Sequence, residues 1–420
     1  MSENELHAHH QSAYRKHHSV ETALVRVTND ILQALDSHKH VVVVLLDLSA
    51  AFDTLDHNVL LTRFKERYGI NGIAYRWLSS YFTGRQQCIV INGVRSQQRT
   101  VPYGVPQGSV IGPMGFSLYS SPIEDIIEAH DLDSMIYADD SQVYFTFRPH
   151  ESNSSVDRIE RCISDIKSWM ITNKLMLNDS KTEVLHLTSR FIKESINVTV
   201  KVGDANVSPS STARNLGVSI DEKMTLSQHV SNVCKSASFA LYNIGKFRRY
   251  LDRASTEKLV HSFVTSRLDN CNSLLFGLPS ADLDRLQRVQ NSAARLVTRV
   301  GGRVHMQPVL RQLHWLPVRK RIIFKMILLT FKAIHGLAPQ YLVELLTLYK
   351  PSRSLRSSTE VLLKPPSHKA VRTSTYGERA FAAAAPKLWN RMPAKIRAID
   401  SLTCFKSALK TFLFNSFDDE

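Results

Sequence analysis

Cysteine is scarce in this chain: five residues in 420, at Cys88, Cys162, Cys234, Cys271 and Cys404. The count is odd and no two stand at zinc-ligand spacing. A disulfide framework and a zinc knuckle are therefore not expected, and reduced thiols in an intracellular protein fit the pattern. Long hydrophobic runs are lacking as well. The longest early one, Val41 to Leu46, is far too short to span a bilayer. The N-terminus, MSENELHAHHQSAYRKHH, is polar and His-rich and has no apolar stretch of a secretion signal. No internal repeat is visible. These absences argue against a membrane protein, a secreted scaffold and a solenoid.

What is present is ordinary in amount and uneven in placement. Hydrophobic residues make up 43% and charged residues 22%, as in a folded protein of two or three domains. The net charge is +15, but residues 1–222 hold 21 Lys+Arg against 26 Asp+Glu, whereas residues 223–420 hold 32 against 12. The first part is thus net −5 and the second net +20. An acidic part suits a metal site and a basic part suits a polyanion, with nucleic acid favoured over a merely basic surface.

Hydrophobic spacing predicts a helix over 19–35, with Ser19 at its N-cap. Val41 to Leu46 is a continuous β-branched run ending in Asp47, the pattern of a buried strand with an acid at its tip. Helices are expected at 56–68 and 73–82. Strands are expected at 88–92 and 99–103, around the turn Asn92-Gly93. A Gly/Pro-rich loop, 104–113, leads into a helical stretch to about 130. Short apolar runs at 134–138 and 141–147 flank Asp139-Asp140 as a hairpin. A helix follows at 155–173, then strands at 183–188, 196–202 and 214–221. Beyond 222 the pattern is almost wholly helical, clearest at 281–300 and 317–335. Residues 348–375 read as a linker and 376–415 as a small helical tail.

One acid on a strand end beside a pair on an adjacent hairpin is a layout that can hold divalent cations for nucleotidyl transfer. Taken singly, each feature is weak, because an Asp pair at a hairpin is usually turn chemistry. Their order is more specific. VVVVLLDLSAAFDTLDH, GVPQGSVIGP, YADD, LMLNDSKTEVL and NLGVSID follow one another from Val41 to Asp221. They resemble the successive palm motifs of reverse transcriptases, most of all those of non-LTR (LINE-type) retrotransposons. QSAYRKHHSVETAL resembles the fingers segment before them, and the C-terminal half resembles the region that follows in such elements.

The resemblance implies an α+β right-hand polymerase palm with partial fingers, then an all-helical thumb-like region and a small C-terminal helical tail. The corresponding segments are 1–40, 41–222, 223–347 and 348–420. It implies RNA-directed DNA synthesis with two Mg2+ ions, Mn2+ being a possible substitute. RNA template, DNA primer and target, and deoxynucleoside triphosphates are the implied partners, in the nucleus or cytoplasm and without a membrane. Asp47, Asp139 and Asp140 match the metal-binding acids, and Lys181 matches a general acid. Arg15 and Lys16 match the triphosphate clamp. Phe52 matches the aromatic that excludes a 2′-hydroxyl, and Gly104, Gln107 and Gly108 the template- and nucleotide-contacting loop. Leu216 and Gly217 match the hairpin gripping the primer. Asp53 is set aside as a cap of the following helix.

From the residues themselves, Lys246, Arg248 and Arg249 among Phe247 and Tyr250 are expected to track phosphates and stack bases. The stripe Arg285, Arg288, Arg295 and Arg299 is expected to do the same. Family members carry more fingers sequence, an endonuclease and a Cys/His knuckle, so a chain truncated at its N-terminus is expected. A catalytically inactive nucleic-acid-binding remnant is the alternative, and a two-metal nuclease the weaker third reading.

Overall fold

The computed structural model describes residues 8–49, 51–106, 108–192, 196, 198–203, 205–349, 361–367 and 369–415. It divides into two compact units. The first comprises 1–19, 40–186 and 193–211, and the second 20–39, 187–192 and 212–420. The expected segment 1–40 is thus shared between the two units, and so is 41–222.

The first unit is built on a four-stranded sheet. Its strands are β1 (His40–Leu46), β2 (Asp133–Tyr137), β3 (Asp140–Phe147) and β4 (Glu183–Leu187), in the order β2-β3-β1-β4. β1 pairs antiparallel with β3, and β2 and β3 form a hairpin. β1 shows no alternation in sequence because both its faces are covered: of its residues only Leu45 is not buried. Val42, Val44 and Leu46 join a core with Leu60 and Phe64 of helix His57–Glu66. Phe116 and Tyr119 of helix Ile111–Ser120 and Ile159 to Met170 of helix Ser152–Thr172 complete it.

Several local expectations need correction. Asp56, not Asp53, caps helix His57–Glu66, accepting from the amides of Asn58 and Val59 at 2.8 and 3.1 Å. The helical stretch to 130 is two helices, because Pro122 opens a second, Pro122–Ala129. The turn Asn92-Gly93, with φ of 50° and 83°, joins the short strands Val90–Ile91 and Val94–Arg95. Gln86–Gln87 then pairs with Arg99–Thr100. Of the strand expected at 196–202, Val200–Val202 is formed, paired with Ala205–Val207.

The second unit contains α1 (Val20–Asp36), the hairpin of β5 (Thr212–Asn215) and β6 (Val218–Asp221), and a helical body. The single strand read at 214–221 is therefore two strands. They are joined by Leu216-Gly217, with φ of 44° and 87°, the paired positive values of a type I′ turn. The principal helices are α2 (Ser227–Phe247), α3 (Ser280–Thr298), α4 (Val318–Ile334) and α5 (Leu402–Asn415). The C-terminal stretch is part of this core: Trp389, Phe405, Leu409 and Leu413 pack with Ile327 and Phe331 of α4. Asp36, at the end of α1, accepts bonds from the backbone of Arg372 and Thr373, and Asn29 accepts from the amide of Ala382. No helix among the described residues is long and apolar enough to cross a membrane.

Candidate active site

The sheet register brings the three aspartates together. Leu46 pairs with Ser141 across the β1–β3 ladder, so Asp47, one step on, stands opposite Asp140. Tyr137 pairs with Asp140, which leaves Ala138 and Asp139 as a two-residue turn. Backbone bonds fix Asp47 on its other side. Its carbonyl accepts from Asn178 N at 2.9 Å, and Ser49 N donates to Met176 O at 2.9 Å.

The turn carries strain. Ala138 has φ 60°, a conformation in which a Cβ is unfavourable and glycine is usual. Gln11 compensates. Its side chain is buried, and Oε1 accepts from Ala138 N at 3.2 Å and from Ala13 N at 2.9 Å. The backbone around Gln11 runs along β2, with Ser12 N bonded to Ile136 O and Ile136 N to His10 O. Sequence reasoning missed Gln11, since a glutamine in a polar N-terminal segment gives no signal of its own.

Electrostatics mark the same place. Burial raises the Asp140 carboxyl above the ordinary range although the residue reaches solvent, and the charges of Asp139 and Asp47 push it further up. Tyr14 is also raised, first by burial and then by Asp139 and Tyr137. Asp47 Oδ2 is buried and receives no hydrogen bond. Lys181 Nζ stands 3.4 Å from it as an ion pair without hydrogen-bond geometry. An orphaned carboxylate oxygen among mutually repelling acids fits a hard divalent cation. Among the described residues the set of ligand atoms lying within 4.8 Å of one another belongs to His10, Glu124 and Glu128, not to the aspartates. Glu124 Oε1 is drawn in by His10 N and its ring nitrogen, at 2.6 and 2.8 Å.

Phe52 is half-buried and stacks at a tilt on Phe116, with ring centroids 4.9 Å apart. The loop after it is closed by Gly104 N to Leu55 O and Val105 N to Phe52 O. Gly104 has φ 77°, and a Cβ there would lie 2.9 Å from Asp53 O, so packing alone requires glycine. Gly108, with φ 79°, has open space around it. Gln107 lies outside the described residues. Arg15 Nη1 donates to Ala8 O and Gln11 O, both at 2.8 Å, bracing the segment that holds Gln11, while Lys16 is exposed.

In the second unit the expected basic residues separate into two kinds. Arg248 is committed to the fold: its guanidinium donates to Leu296 O, Leu251 O and Val297 O and caps the end of α3. Arg285 is held by Asp282 and Ser231. Both thus spend donors within the fold, three of the five N–H groups of Arg248 and two of those of Arg285. Lys246, Arg249 and Arg288 remain available. Lys246 lies over the Tyr242 ring and Arg249 over that of Tyr250, with both rings exposed.

Residues 1–220, just over half the chain, match the family described as "Reverse transcriptase (RNA-dependent DNA polymerase)". The chain belongs to that family. Among curated proteins, this reverse-transcriptase chain is 27% identical over 295 residues to "Probable RNA-directed DNA polymerase from transposon X-element" of Drosophila melanogaster, covering 69% of the chain and 32% of the relative. It is 24% identical over 310 residues to "Probable RNA-directed DNA polymerase from transposon BS" of the same organism, covering 71% and 33%. "RNA-directed DNA polymerase from mobile element jockey" of the same organism is 25% identical over 228 residues, covering 53% and 24%. The chain therefore spans at most about a third of the length of these relatives. Among solved structures, apo telomerase from Candida tropicalis aligns at 13% identity over 74% of this chain and 56% of that chain. Its TM-score of 0.40 is too low to carry a fold assignment.

Proposed function

We propose that this chain carries the polymerase centre of a non-LTR retrotransposon reverse transcriptase and extends a DNA primer on an RNA template. The observation that carries the reading is the register placing Asp47 opposite Asp140, with Asp139 on the adjoining turn. The first unit serves as palm with a fingers segment, and the second as thumb and C-terminal tail.

Asp47, Asp139 and Asp140 would hold two Mg2+ ions, with Mn2+ as a substitute. Such ions, when bound, acidify the attacking 3′-hydroxyl and offset charge on the phosphoryl oxygens. The remaining work falls to the protein's own groups. Lys181, beside Asp47, supplies a proton to the departing pyrophosphate. Lys16 and Arg15 meet the triphosphate. Phe52, backed by Phe116, occupies the space a ribose 2′-hydroxyl needs, so deoxynucleotides are selected. Gly104, Gln107 and Gly108 form the loop under the template and incoming base, with Gly104 acting through its close packing on Asp53. Leu216-Gly217 supports the primer end. Lys246, Arg249 and Arg288 follow the phosphates of template and primer. Such substrates would be met in the nucleus or cytoplasm.

The intact register of the aspartates speaks against a binding-only remnant. The test is synthesis from an RNA template by the purified chain in Mg2+ or Mn2+, comparing Asp47→Asn with the parent. Extension by the parent and none by the variant is expected. Equal extension by both would defeat the assignment.

A further inference from the structure

A cavity of about 610 Å³ lies in the second unit between α3, the start of α4 and the connection between them. Arg295, Arg303, Arg319 and Lys320 line it together with His305, and among the described residues no carboxylate does. Arg319 pairs with Asp284, which lies outside the lining, at 3.0 Å and largely in solvent. Arg295 Nε is buried with no hydrogen-bond partner, and its Nη2 makes only a 3.4 Å contact with Gly302 O. A desolvated guanidinium nitrogen without an acceptor costs stability unless a ligand supplies one.

The first turn of α4 adds the positive end of a 17-residue helix to the same wall. The cavity is much larger than a phosphate and offers more than charge. Asn291 accepts from Gln287 on its oxygen, leaving its NH2 as a donor. Met306, Leu310 and Pro317 supply apolar surface. Arg303 and His305 are exposed at the rim, so a polymer could enter and leave past them.

We propose that this cavity holds one nucleotide of a single-stranded nucleic acid, with its phosphate on Arg295 and Arg303 and its base against the apolar wall. This is a second binding site in addition to the polymerase centre, and it does not depend on that centre being active. A free nucleotide or phosphate ion shares the anchoring chemistry, and the experiment separates these sources.

The probe is a 4-thiouridine-substituted single-stranded RNA 12-mer, photocrosslinked to the full chain and mapped by mass spectrometry. Adducts are expected on the peptide containing Val304–Met306. Arg303→Glu and Arg295→Gln should each lower their yield at least fivefold, with adducts on α2 unchanged. Arg303 is exposed, so its variant should melt like the parent. Asp139→Asn, which disables the proposed polymerase centre, should leave the adduct intact, so the two readings fail separately. The proposal is overturned if no adduct maps there, or if Arg303→Glu melts normally and keeps the yield. Competition by AMP or inorganic phosphate at concentrations equal to the RNA would assign the cavity to a free anion and overturn the nucleic-acid reading.

Discussion

Gln11 holds Ala138 in place: its Oε1 accepts from the amide of the left-handed residue that turns the chain into Asp139. A residue kept in such a conformation costs about 1–3 kcal/mol and persists only where its surroundings fix it. Gln11→Ala should destabilise the protein by roughly 1–2 kcal/mol through unpaired buried amides. It should also lower primer extension at least tenfold, since Asp139 rides on that turn. Urea titration and single-turnover extension check the two parts. A variant with reduced stability and full activity would show that the turn holds itself.

The crowding of the aspartates predicts a separation of stability from activity. Asp140 is destabilised as a carboxylate by burial and by Asp139 and Asp47. Its raised pKa means that ionisation weakens the fold as pH rises through that value. Asp140→Asn should therefore raise the melting temperature at pH 7.5 in EDTA, while reducing extension by two orders of magnitude or more. A lower melting temperature would contradict the repulsion.

Phe52 packs on Phe116 and is only half covered. Phe52→Val should increase ribonucleotide incorporation relative to deoxynucleotide at least tenfold, read as the ratio of kcat/KM values. Because the ring also packs, a loss of about 1–2 kcal/mol in stability is expected alongside. An unchanged ratio would reduce Phe52 to a packing residue.

Arg248 and its basic neighbours should behave differently under substitution. Arg248→Gln should lower stability by about 2 kcal/mol, since three carbonyls lose their donor. Arg249→Gln should leave melting unchanged, weaken RNA binding and flatten its salt dependence by about one unit of slope. Thermal melts and anisotropy at several salt concentrations distinguish them.

His229 is buried, and burial lowers its pKa. Its Nδ1 lies 3.4 Å from Ser219 N, an acceptor's position. A base with a depressed folded-state pKa contributes stability above its ordinary value near 6.5, and loses it as pH falls through the folded value. The melting temperature should fall on acidification below pH 6.5, and less so in His229→Asn, which keeps an acceptor. Equal pH profiles would remove His229 as the cause.

How much of this could be read from the sequence depends on the range of each interaction. The strand at Val41–Leu46 and a hairpin near Asp139-Asp140 were legible because their signals are local, a β-branched run and two apolar runs. The turn, however, is Ala138-Asp139, one residue earlier than expected, and Asp140 already belongs to the strand. The candidate acids followed from those elements in order. A helix expected to start at 56 makes Asp56 helical and leaves Asp53 as the cap, but the helix begins one residue later, at His57. Gln11 meets Ala138 across 127 positions, and Arg248 reaches Leu296 across 48, with nothing local to announce either. The same holds for α1. It reads as an amphipathic helix but belongs to the second unit through Asp36 and Asn29, whose partners lie more than 300 positions away.

The most direct measurement is primer extension by the full chain on an RNA template in Mg2+, with Asp139→Asn in parallel and RNA binding measured on both. Extension by the parent, loss of at least a thousandfold in the variant, and binding equal within a factor of about two are expected. Extension that survives Asp139→Asn, or a folded, RNA-binding parent that extends nothing, would contradict the proposed function.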